Sequence, residues 1–187
     1  MKSKASFLLC LICGIFLNLP LLAQTTAGTV ISNTARYTYV DPGANSHSGS
    51  SNTVTVTVAK VAGITITPDG GTVPNLVPGQ SATLNYTLTN TGNYPETMTF
   101  PTAGAGAVVS GPVTVTAFFV DSNGNGTLDG GEVDLLTATA TPSMAPNTSL
   151  PIVVKIQATP AAIPGTSVSV SVGDATTGSP SYDNQPN

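Results

Sequence analysis

From Thr53 to Val58 threonine and valine alternate without a break, which puts Val54, Val56 and Val58 on one side of an extended chain and Thr53, Thr55 and Thr57 on the other. A helix of about 3.6 residues per turn would scatter those valines around its circumference, so the pattern admits a half-buried strand and no amphipathic helix. The same period returns in Leu84, Tyr86 and Leu88, in Ile152, Val154 and Ile156, and in Val168, Val170 and Val172, with Thr, Asn, Lys or Ser between them except at Val153. Parity assigns these three sets to a core. Seven strands are expected between residues 62 and 175: 64–68, 82–90, 96–101, 113–120, 133–139, 150–158 and 166–173.

Proline and glycine stand at almost every boundary between those runs, at Pro68, Pro78, Gly79, Pro101, Pro142, Pro160, Pro164 and Gly165. Short strands that cross between two sheets need such punctuation, so a β-sandwich is preferred over a closed barrel. Charged residues are only 7% of the chain, against about 25% in an average domain, as suits an all-β extracellular protein. Residues 24–61 read as an N-terminal β-hairpin with arms 28–40 and 51–61 and a loop, DPGANSHSGS, between them. An isolated pair of strands is marginal in water, so its valine face is expected to pack on the following domain or on another chain. His47 falls in that loop with no cysteine or second histidine to complete a transition-metal site, and reads as a solvated residue.

Residues 1–23 carry the marks of a signal peptide: Lys2 and Lys4, then the apolar FLLCLICGIFL, then Leu-Leu-Ala before Gln24. The apolar run is shorter than the roughly 20 residues that span a bilayer, so cleavage and export are expected over anchoring. Cys10 and Cys13 both lie inside it, without the small residues that precede a lipidated cysteine. The remainder keeps Arg36, Lys60 and Lys155 against nine acids, a net charge of minus six, and has no cysteine. Nucleic acid and stable membrane insertion are poor expectations for it. Residues 176–187 form a polar tail rich in Ser, Pro and Asn, expected to lack order.

Four of the nine acids, Asp121, Asp129, Glu132 and Asp134, lie in or beside one stretch. The twelve residues DSNGNGTLDGGE, from Asp121 to Glu132, carry oxygen at the first, third, fifth, ninth and twelfth positions, in Asp121, Asn123, Asn125, Asp129 and Glu132. Gly126 stands sixth, where the backbone must turn, and Thr127 seventh, where a carbonyl can ligate. Ca²⁺ takes six to eight hard oxygen donors in flexible geometry, and this spacing supplies them. One calcium ion is expected, bound in a loop between strands and stapling a domain that has no disulfide. A Gly- and Asn-rich turn that reverses the chain without metal is the plainer alternative.

Catalytic patterns are missing: there is no GxSxG elbow, no second histidine and no phosphate-binding glycine loop. Asp69, Asp121 and Asp129 could do acid–base work, but the last two are better used as ligands, so no catalytic residue is assigned. A carbohydrate-binding module would need flat aromatic platforms. With no Trp, only Tyr94 and the same-face pair Tyr37 and Tyr39 qualify, since Tyr86 falls on a core face and Tyr182 in the tail; ordinary packing is the simpler account of each.

The string PGQSATLNYTLTNTGNYPETMTF, residues 78–100, resembles the bacterial surface repeat known as domain of unknown function 11, as do GTVISNTARYTYVDPG and SNTVTVTV. The resemblance implies an immunoglobulin-like sandwich over residues 62–175 in a cell-envelope or secreted protein. The loop is similar to the calcium loops of dockerins and adhesin repeats. Together these readings suggest a secreted structural module of the cell envelope or extracellular matrix whose partners are other envelope or matrix proteins, met in part by strand addition. An adhesion or carbohydrate-binding module is the alternative.

Overall fold

A computed structural model describes residues 24–173; the expected signal peptide and polar tail lie outside the described residues. Every regular element in that range is a strand. Four strands precede the main body: β1 (Val30–Asn33), β2 (Arg36–Val40), β3 (Ser46–Ser50) and β4 (Val54–Thr57). Seven build it: β5 (Ile64–Thr67), β6 (Gly71–Leu76), β7 (Ser81–Asn90), β8 (Ala107–Ser110), β9 (Val113–Val120), β10 (Ser149–Ala158) and β11 (Thr166–Val172). They form a four-stranded sheet in the order β5-β7-β10-β9 and a three-stranded sheet in the order β6-β11-β8, all pairs antiparallel. This is an all-β, sandwich-like fold.

The core lies between these two sheets and follows the parity of the sequence. Tyr86 and Leu88 of β7, Ile152, Val154 and Ile156 of β10, and Val168, Val170 and Val172 of β11 are all buried, with Leu84 packed against them. Tyr86 also donates its hydroxyl across the core to the carbonyl of Val170, at 2.7 Å. That bond satisfies the polar end of the largest fully buried side chain. Phe118 of β9 meets Phe100 edge-on, with ring centroids 5.6 Å apart.

Two bulges let residues of opposite parity share this core. In β9, Ala117 faces Lys155 while Val115 faces Ile156, so Thr116 is surplus, and its hydroxyl donates to the Lys155 carbonyl at 3.2 Å. Phe118 and Val120 therefore point inward on one side of Thr116, and Val113 and Val115 on the other. In β6 the register likewise slips between Val73 and Leu76, at Pro74 and Asn75, and Asn75 takes a φ of 57°. Proline can stand there because a bulge on an edge strand asks for no ladder N–H.

The expected strands at 96–101 and 133–139 are not continuous; the chain makes isolated bridges there, Glu96 to Met144, Thr99 to Ala140 and Phe119 to Asp134. Asp134 is the reason for the second. Its carboxylate accepts the Leu136 N–H at 2.9 Å and its carbonyl the Ala138 N–H at 2.9 Å, which curls the backbone away from a ladder. In the first, the Thr141 hydroxyl accepts the Met98 N–H in place of a carbonyl. Both segments still bury apolar residues, Met98 and Phe100 in the first and Leu135 in the second. Strands β6 and β8 went unforeseen because a bulge and a four-residue length hide their alternation.

Strands β1 and β4 form one two-stranded antiparallel sheet, and β2 and β3 another. Thr34 meets Thr53 through their hydroxyls at 2.7 Å, while the Ser51 N–H donates to the Ala35 carbonyl at 2.9 Å, leaving Asn52 as the extra residue between the two sheets. The expected loop is shorter than DPGANSHSGS, because Ser46–Ser50 pairs with Arg36–Val40 and only residues 41–45 turn. Most of the valine face is not packed on the sandwich: Ile31, Val54 and Val56 are all more than half exposed, and Val58 alone is part-buried. What fixes this ribbon to the main body is polar. The buried Asn93 donates its side-chain amide to the carbonyls of Ala59 and Thr25 and accepts the Val61 N–H through its oxygen.

Candidate metal centre

Strand β9 ends at Val120, and Asp121 follows with its backbone N–H bonded to the Pro151 carbonyl of β10 at 3.0 Å. Asp121 is buried, anchored at the sheet edge, and organises the loop beyond it. One carboxylate oxygen accepts the N–H groups of Gly124 and Asn125 at 2.9 and 3.1 Å, and the other accepts that of Gly126 at 2.9 Å. Gly124 and Gly126 make this wrap feasible, since both hold φ above 70°, where an L side chain is strained.

The remaining five positions are tied into the same loop. Asn123 and Asn125 direct their side-chain oxygens to the N–H groups of Asn125 and Thr127 at 3.0 and 2.7 Å. Their amide nitrogens both donate to one oxygen of Asp129, at 2.9 and 2.6 Å. These bonds favour the ionised form and hold the Asp129 carboxyl below its usual range. Glu132 spans the loop, accepting the Asn123 N–H with one oxygen at 3.3 Å and the Asp129 N–H with the other at 3.0 Å.

The structure thus brings Asp121, Asn123, Asn125, Thr127, Asp129 and Glu132 into one hydrogen-bonded loop. It does not draw their carboxylates to a common point: among the described residues no three His, Cys, Asp or Glu side chains stand close enough to share an ion. The donor set itself suits a hard cation, being all oxygen on the acceptor side and containing no nitrogen or sulfur ligand. The two asparagine amides supply to Asp129 the positive partial charge that an ion would otherwise provide.

A second group of polar and aromatic residues gathers at the tip of the ribbon. Tyr39 stacks on His47, with centroids 4.8 Å apart and planes 17° from parallel, and Tyr37 lies 6.2 Å from Tyr39 at 20°. His47 is therefore no loop residue; it pairs with Tyr39 in the β2–β3 ladder, and its Nε2 lies 3.0 Å from a carboxylate oxygen of Asp41. That contact, with the backbone and side-chain N–H groups of Asn45, pulls the Asp41 carboxyl down to about 2. Sequence alternation could have found His47, since Ser-His-Ser-Gly-Ser alternates opposite Arg-Tyr-Thr-Tyr-Val. Tyr94 instead sits under Lys60, whose Nζ is 5.3 Å from the ring centroid, and donates to Glu96 at 3.3 Å.

No protein-family model, curated protein or solved structure matches the chain.

Proposed function

We propose that the chain is a secreted structural module of the bacterial cell envelope or extracellular matrix, an immunoglobulin-like domain of the domain-of-unknown-function-11 type stapled by one calcium ion. The observation that carries this reading is the loop from Asp121 to Glu132, in which one buried carboxylate gathers three backbone N–H groups and Glu132 closes the far end. Asp121, Asn123, Asn125, Asp129, Glu132 and the Thr127 carbonyl would hold the ion; bound there, it would supply positive charge to the three carboxylates of the loop. For that, the amides of Asn123 and Asn125 would have to give up their bonds to Asp129, and the ion would stiffen the loop that follows β9.

The immunoglobulin-like reading draws support from strand order. Taking β6 as a continuation of the first strand that crosses to the other sheet, β5-β7-β10-β9 is the order A-B-E-D and β8-β11 the pair C-F. Strand β6 then lies where a final strand G would run, beside β11 and antiparallel to it. The ribbon is read as one N-terminal hairpin interrupted at Asn52. Its outer strands β1 and β4 carry no charge and no proline, the devices that usually blunt an edge, and so offer main-chain pairing to another envelope or matrix protein.

Melting the mature protein in excess EGTA and in millimolar calcium, beside Glu132→Gln, tests the staple. A calcium-dependent rise in the parent that shrinks in the variant supports it, and no rise in the parent reduces the loop to a turn. Fractionation of the producing cells with N-terminal sequencing tests export, for which a start near Gln24 is expected.

A further inference from the structure

We propose a second site, independent of the calcium loop: the exposed rings of Tyr37 and Tyr39, the latter backed by His47, are a stacking surface for the sugar rings of a neutral polysaccharide. Four features of the ribbon tip lead there, and the first is the lie of the rings. Gly49 faces Tyr37 across the β2–β3 ladder, and a methyl group at Gly49 would fall inside the Tyr37 phenol. The ring therefore lies down over the bare backbone of β3 instead of standing off the sheet, with one face against the strand and the other turned out. Tyr39 does the same against the imidazole of His47.

Exposure is the second feature. Tyr37 and Tyr39 are 58% and 55% exposed. Tyrosines that merely filled a core would be buried as Tyr86 is, and a protein-binding anchor would project into a partner's pocket. A row of near-parallel rings on a flat ribbon presents π-faces without walls, a geometry suited to the C–H face of a pyranose and extendable along a chain of them.

Charge is the third feature, and it selects among ligands that stack. Bases of single-stranded nucleic acid also stack on tyrosine, but such sites are cationic grooves that track phosphate. Here the mature chain is acidic, with nine acids against three cations, and parity puts Arg36 on the opposite face of β2 from Tyr37 and Tyr39. The face thus complements a neutral polymer and repels a polyanion. Fourth, hydrogen-bonding groups adjoin the rings. Asp41 is an ionised acceptor across the neutral range, and Asn45 is bonded to it at the same turn, so sugar hydroxyls beside Tyr39 meet polar partners.

The test is affinity electrophoresis of the full mature chain in gels containing soluble β-glucan, xylan or mannan, with sedimentation on cellulose and chitin. Retardation by at least one of these is expected, weakened about tenfold or more in Tyr37→Ala and in Tyr39→Ala and unchanged in Tyr94→Ala. Gly49→Val is the geometric control. It keeps every aromatic residue but lifts the Tyr37 ring, and should weaken retention as Tyr37→Ala does. All these positions lie outside the core, and melting curves matching the parent would show the variants folded. No retention on any of the five materials overturns the proposal, as does retention that survives both tyrosine substitutions. Concentration-dependent dimerisation in ultracentrifugation, lost in Tyr37→Ala and without polysaccharide binding, would assign the rings to a second copy of the chain and overturn it too.

Discussion

The side chain of Asn93 donates to the carbonyl of Ala59 at 2.9 Å, and this bond is one of several by which a buried residue of the main body holds the end of the ribbon. The amide is fully used: its nitrogen also reaches the Thr25 carbonyl at 3.3 Å, and its oxygen accepts the Val61 N–H at 2.8 Å. Aspartate at this position could not donate to two carbonyls, nor leucine accept from Val61.

Replacing Asn93 by Ala should loosen the ribbon before it loosens the sandwich. Three partners lose a bond, and about 1–3 kcal/mol is the ordinary cost of leaving a buried polar group unmet. Limited proteolysis is expected to cut near residues 58–62 at least several-fold faster in Asn93→Ala than in the parent, with the sandwich fragment intact. Equal cleavage rates would show that the backbone bonds of Asn93 to Val61 and Ala27 suffice.

Tyr86→Phe isolates the bond to Val170 with little change in packing volume. Burial pushes the Tyr86 hydroxyl up to about 12, so it remains a neutral donor at any working pH. Losing it should cost about 1–2 kcal/mol. For a domain of this size that is a fall in Tm of about 2–8 °C, readable by calorimetry. A variant as stable as the parent would mean that water replaces the hydroxyl at Val170.

Acid should release the ribbon tip. The folded pKa of Asp41 lies at about 2 against an ordinary 3.8, because His47 and the Asn45 amides bond to the ionised form. A depressed carboxyl contributes stability above its unfolded pKa and loses it as pH falls through the folded one, here between about 4 and about 2. The Asn45 amide resonance is expected to titrate with a midpoint near 2, and Asp41→Asn should abolish that transition. A midpoint at the ordinary carboxyl value would show that the turn is open in solution.

How far the sequence could be read depended on whether a residue's fate was set by its neighbours in the strand or by a partner elsewhere. Val168, Val170 and Val172 were legible because period two alone decides which face they take. Thr116 and Pro74 were not, since a bulge is a relation between two strands and leaves no mark in either one. Asp134 shows competition of another kind: the run 133–139 is apolar enough for a strand, yet one carboxylate bonding to Leu136 turns it. At the loop from Asp121 to Glu132 the spacing named the residues that come together, but not that Asn123 and Asn125 would satisfy Asp129 with their own amides. Tyr37 and Tyr39 shared a face as parity required. Their exposure was not foreseen, because the ribbon's lack of cover is a property of the whole molecule.

The amide of Asn125 offers the sharpest separation of a metal loop from a plain turn. In the structure it donates to Asp129 at 2.6 Å, so Asn125→Asp removes that bond and sets a second carboxylate beside the first. Without calcium the variant should therefore melt slightly lower than the parent, since the site is open to solvent and the repulsion is screened. With calcium the sign reverses if the loop is a metal site. A fourth carboxylate among the ligands raises affinity, and each tenfold gain in affinity adds about 1.4 kcal/mol to the folded state when the ion is in excess. Parent and Asn125→Asp melted side by side, in EGTA and in about 10 mM calcium, should exchange their order of stability. A variant that stays below the parent in both buffers would leave the loop a turn held by its own amides.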